Sequence, residues 1–119
     1  MNQSEAKPEE QGPVLDLVDD TVHLALNAEA YRSISVQKSS YRFADRCTVI
    51  IGAVRAGVLP LALAFPMGTA RAAALEVARL FLQDLLDQEL REKAQDETRA
   101  MRALLLAHAF SRTNLIRRD

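Results

Sequence analysis

Two histidines, one cysteine and a dense run of carboxylates are the residues of this 119-residue chain best equipped for chemistry. Their spacing argues against it. His23 and His108 lie far apart in sequence, and neither belongs to a metal-ligand or general-base motif. Cys47 shares its predicted helix face with Phe43, Ile50 and Ile51, where a thiol behaves as a small apolar residue with a raised pKa. The acids of "DLLDQELREKAQDE", Asp84 to Glu97, are interleaved with Arg91 and Lys93 at helical spacings, the pattern of a solvated, ion-paired face. Gly52 and Gly57 have the spacing of a phosphate-binding loop, but Val58 stands where that loop needs lysine. The chain therefore reads as a binding protein rather than an enzyme, with no catalytic residue, metal site or cofactor.

The basic residues say more. From Arg32 to Arg79 seven bases stand against two acids, Asp45 and Glu76. Lys38, Arg42 and Arg46 follow one another by one helical turn, and Arg55 lies at the edge of the neighbouring apolar face. Arginine's planar fork suits phosphate oxygens. Lys38, Arg42, Arg46 and Arg55 are thus the predicted nucleic-acid-binding residues, a ridge able to neutralise the backbone of RNA or single-stranded DNA without reading bases.

The elements that must carry such a ridge follow from composition and period. The length suits one domain, and 49% apolar residues are enough to close one core. Net charge is −1, but residues 1 to 20 hold six acids and one base, so the remainder is mildly basic. A single cysteine excludes an intramolecular disulfide, and the N-terminus lacks the basic-then-apolar pattern of a secretory signal, so a cytoplasmic location is expected. Residues 1–13 are polar and acidic with little to bury, and predict a disordered tail; residues 14–119 predict a single helical domain.

Within that domain, "VLDLVDDTVHLALNAEAY" favours a helix, although "TVHLAL" alternates well enough for a strand. "RSISVQKSS" has no clear period and reads as a connector. Ser39 or Ser40 then caps a predicted helix whose face collects Phe43, Cys47, Ile50, Ile51, Val54 and Val58, with Gly57 ending it. Pro60 and Pro66 bracket a short apolar piece. Ala70 to about Lys93 forms a helix with the stripe Ala74, Leu75, Ala78, Phe81, Leu82, Leu85 and Leu86. A last helix, Asp96 to Phe110, is apolar around most of its circumference and must be deeply buried or shared with another chain. The stretch from Arg46 to Gly68 is apolar, but Arg55 at its centre and two prolines speak against a membrane span. The expected fold is all-α, a compact bundle of four to six helices.

The segment "YRFADRCTVIIGAVRAGVLPLALAF" resembles the middle of the small helical subunits of class 1 CRISPR effector complexes, particularly the type III-B kind, at Tyr41, Ala44, Ile51, Gly57, Val58, Leu63, Ala64 and Phe65. The resemblance implies a subunit of an antiviral nucleoprotein complex. Such a subunit stacks with copies of itself and with larger protein subunits, and holds nucleic-acid backbone on a basic surface. The alternative is a homo-oligomeric helical adaptor or regulator that binds only protein through "MRALLLAHAF".

Overall fold

The computed structural model describes residues 15–117. The predicted tail, residues 1–13, lies outside them. Thr21–Asn27 (β2) alternates strictly: Val22, Leu24 and Leu26 are buried, while His23, Ala25 and Asn27 are exposed. Val58–Ala64 (β4) does the same with Leu59, Leu61 and Leu63. A period of two is the signature of a strand with one covered face. These two strands pair antiparallel along their whole length, Leu24 opposite Leu61. Leu17–Val18 (β1) adds to the free side of β2, and Thr48–Ile51 (β3) to the free side of β4, giving the order β1-β2-β4-β3.

Tight turns make this sheet possible. Asp19 and Asp20 both have positive φ, 52° and 59°, between β1 and β2. Ala56 and Gly57, at 52° and 79°, link Arg55 to Val58, which exchange two backbone hydrogen bonds of 2.9 Å. Two successive residues in the left-handed region match the twist of a two-residue hairpin. Gly52 sits opposite Pro60, to whose carbonyl its N–H donates at 2.9 Å; a Cβ there would come within 2.8 Å of Pro60 Cγ.

Both β2 and β3 run antiparallel to β4, hence parallel to each other, and are joined by helix Ser33–Arg42 (α1). This is a split β-α-β unit with β4 inserted between its strands. One sheet face is covered by α1 and by the first half of Arg71–Arg117 (α2). Val36 and Phe43 meet Ala74, Ala78, Phe81 and Leu85 over the strand leucines, with the Phe43 and Phe81 rings edge to face at 5.5 Å.

The all-α bundle is therefore overturned: a four-stranded antiparallel sheet carries two helices. Three features account for the difference. The Val14–Tyr31 segment and the stretch after Gly57 satisfy the period of two better than that of 3.6 once their hairpin turns are recognised. The supposed connector "SISVQKSS" is α1, with Ser35 and Ser39 fully buried against α2, so Ser39 and Ser40 lie in its last turns rather than at a helix start. Of the face predicted after them, Phe43 and Cys47 are buried, whereas Ile51 is 44% exposed and Ile50, Val54 and Val58 are also exposed. Finally, the predicted helices ending at Lys93 and starting at Asp96 are one helix of 47 residues, because no glycine or proline follows Gly68 to break it. At 1.5 Å per residue α2 is about 70 Å long. Among the described residues, no helix is long and apolar enough to cross a membrane.

Candidate protein-docking helix

A polar seam sets the direction of α2. The Ser35 hydroxyl donates to Glu89 Oε1 at 2.7 Å, and the Arg32 backbone N–H and Nε donate to the same carboxylate at 3.2 and 3.1 Å. Arg32 also reaches Asp96. One turn along, the Ser39 hydroxyl donates to Asp84 Oδ2 at 2.8 Å, Arg42 Nε lies 3.1 Å from Asp84 Oδ1, and Lys38 Nζ pairs with Glu92. Serine at i and i+4 keeps the helices close, and each hydroxyl adds a hydrogen bond to a carboxylate that an arginine also pairs. Burial of Glu89 opposes its ionisation, but the Ser35 and Arg32 donors outweigh it and hold the carboxyl below its ordinary range. Asp96 is likewise held low, first by its hydrogen bond from Arg32.

The predicted site residues separate in this arrangement. Lys38 and Arg42 come together, but on α2 carboxylates. Arg46 lies past the end of α1 with its guanidinium 5.0 Å from the Phe43 ring centroid, and Arg55 belongs to the β3–β4 hairpin. The groove bordered by Ile34, Gln37, Lys38, Tyr41, Arg42 and Gln88, about 430 Å³, is lined by two of these paired cations. The acidic run divides as well. Arg91 pairs with Asp87 on the solvated face as its spacing suggests, whereas Asp84, Glu89 and Glu92 turn inward to α1. The sequence signal for this seam was the Ser35/Ser39 spacing matched to Asp84 and Glu89.

Beyond the seam α2 leaves the other described residues, and from Glu97 to Ser111 every side chain is exposed. Asp96, bound by Arg32 and Arg99, marks the end of the head. At 100° per residue, the core stripe of Ala74, Ala78, Phe81 and Leu85 continues past it through Ala103, Leu106 and Phe110. Phe110 is 64% exposed and Leu106 is exposed too. Of the two outcomes foreseen for the "MRALLLAHAF" helix, burial does not occur among the described residues. A second stripe, on the back of α2, runs from Leu86 and Leu90 on the head to Met101, Leu104 and Leu105 on the projection, all exposed.

His23 is on the open face of the sheet and His108 on the projection. Burial pushes the Cys47 thiol up, away from the reactive thiolate. Among the described residues, no three His, Cys, Asp or Glu side chains are grouped to hold a metal ion.

The described residues thus form a small α/β head with a helix projecting from it, polar at the joint and apolar beyond. The chain belongs to the family of the His-Xaa-Ser system protein HxsD, whose family model matches residues 26–116 and so includes α1, β3, β4 and nearly all of α2. No curated protein and no solved structure matches it. Family membership overturns the likeness to CRISPR small subunits, and with it the expected role as an RNA-binding subunit of an antiviral nucleoprotein complex. The sheet removes the basis of the all-helical adaptor as well.

Proposed function

We propose that this chain serves the His-Xaa-Ser system by docking another protein of that system, without catalysing a reaction itself. The observation that carries the reading is the continuation of the core stripe past Asp96. Ala103, Leu106 and Phe110 occupy the face that Phe81 and Leu85 use to close the head, and among the described residues nothing covers them. Burying a leucine and a phenylalanine side chain contributes on the order of 2 to 3 kcal/mol each, so a partner that continues the core there gains a defined anchor. The family match reaches residue 116, so the projection falls within the portion that defines the family. The Arg32, Glu89 and Asp96 contacts fix the angle at which that anchor is presented.

The test is co-expression with each of the other proteins of the system, followed by purification through a tag on this chain. Leu106→Asp/Phe110→Asp should abolish the complex while leaving the circular dichroism of the free chain unchanged. A complex that survives the double substitution would move the docking surface elsewhere.

A further inference from the structure

The back stripe of α2 has a different character from the face just described. Leu86, 50% exposed, and Leu90, 57% exposed, lie behind the head, while Met101, Leu104 and Leu105 extend the same stripe along the projection. Lys93 and Glu97 interrupt it midway. Charge is also polarised along the helix. Residues 84–97 hold six acids and two bases, whereas residues 98–111 hold Arg99 and Arg102 and no acid.

We infer that this stripe pairs two copies of the chain through an antiparallel contact of their α2 helices about a two-fold axis near Gln95. This orientation places Leu86 of each copy beside Leu104 of the other and Leu90 beside Met101, so the head-side and projecting halves of the stripe cover each other. It also sets Lys93 of one copy beside Glu97 of the other. A parallel pair would instead stack Lys93 on Lys93 and Glu97 on Glu97, which is unfavourable. The contact is isologous, so it closes as a dimer and does not propagate. It leaves Leu106 and Phe110 free, because at 100° per residue they lie on the opposite side of the helix.

The experiment uses the full chain in sedimentation equilibrium, with disulfide trapping of single-cysteine variants. A dimer at micromolar concentration is expected, with Leu104→Glu raising its dissociation constant about 30-fold or more. The native Cys47 is buried and does not compete for trapping. Mixed Leu86→Cys and Leu104→Cys chains should give a disulfide between the two variants, with far less from either variant alone. A monomer at all concentrations overturns the inference. So do a dimer indifferent to Leu104→Glu and trapping of each variant only with itself, and each of these results leaves the docking face of Leu106 and Phe110 untouched.

Discussion

Ser35 and Glu89, 54 positions apart in sequence, share a 2.7 Å hydrogen bond between two helices, with the serine fully buried and the glutamate nearly so. This bond explains a helix that its own sequence hardly supports. "SISVQKSSYR" is rich in serine and β-branched residues, and its N-terminus at Arg32 has no side-chain cap. Glu89 supplies what is missing by accepting the Arg32 N–H from across the seam.

Stability should therefore fall on the acid side, and Glu89 should account for part of the fall. Because its carboxyl ionises more readily folded than unfolded, its contribution is fully present above its ordinary value of 4.5 and is lost as pH drops through the lower folded value. Glu89→Gln should cost about 1.5 to 3 kcal/mol at pH 7 and much less at pH 3. Urea denaturation at the two pH values measures the difference; an equal cost at both would show that the charge is irrelevant.

The sheet makes opposite demands on two aliphatic residues that look alike in sequence. Leu63 is fully buried between β2 and β3, so Leu63→Ala should destabilise by about 2 to 5 kcal/mol. Ile51, on the edge strand and 44% exposed, should cost less than half as much on the same change. Thermal or urea unfolding of the two variants ranks them, and a reversed ranking contradicts this packing.

What was legible in the sequence was local. The α2 stripe through Ala74, Ala78, Phe81 and Leu85 reads directly from its period, and the alternation of "TVHLAL" was visible though outweighed. Apolar residues at Phe43, Cys47, Ile50, Ile51 and Val54 fit a helix face by coincidence, because a short strand after a turn can place its residues at the same intervals. The hairpins were hidden because Asp-Asp and Ala-Gly are less usual two-residue turns than Asn-Gly. The seam was obscured for another reason, despite the Ser35/Ser39 spacing: a carboxylate at a helical interval from an arginine looks solvated until the helix that covers it is known.

Gly52 offers a test of the β3–β4 register. Its N–H donates to the Pro60 carbonyl, and an added methyl would meet the proline ring at 2.8 Å. Gly52→Ala should thus destabilise by about 1 to 3 kcal/mol, the usual cost of overpacking. The change is small enough to leave the fold intact, so calorimetry on the purified variant is the measurement. An unaltered melting temperature would mean that the Pro60 ring does not approach Gly52 so closely.

The last prediction separates the projection from the head. Since side chains from Glu97 to Ser111 are exposed, they contribute little to closing the core, and α2 past Asp96 is held mainly by its own backbone hydrogen bonds. Proline in a helix interior removes one such bond and clashes with the preceding turn, at about 3 kcal/mol or more. Ala100→Pro should therefore reduce helical circular dichroism while leaving the unfolding midpoint of the head within a few degrees of the wild type. Leu85→Ala, inside the core, should lower that midpoint sharply. The docking reading adds a second consequence, because Leu106 and Phe110 extend the core stripe only while α2 is continuous. Ala100→Pro should then weaken partner capture as strongly as Phe110→Asp, although it removes no anchoring side chain. Capture at wild-type strength with a broken helix would show that the partner recognises a short segment, and that the seam at Glu89 has no part in presenting it.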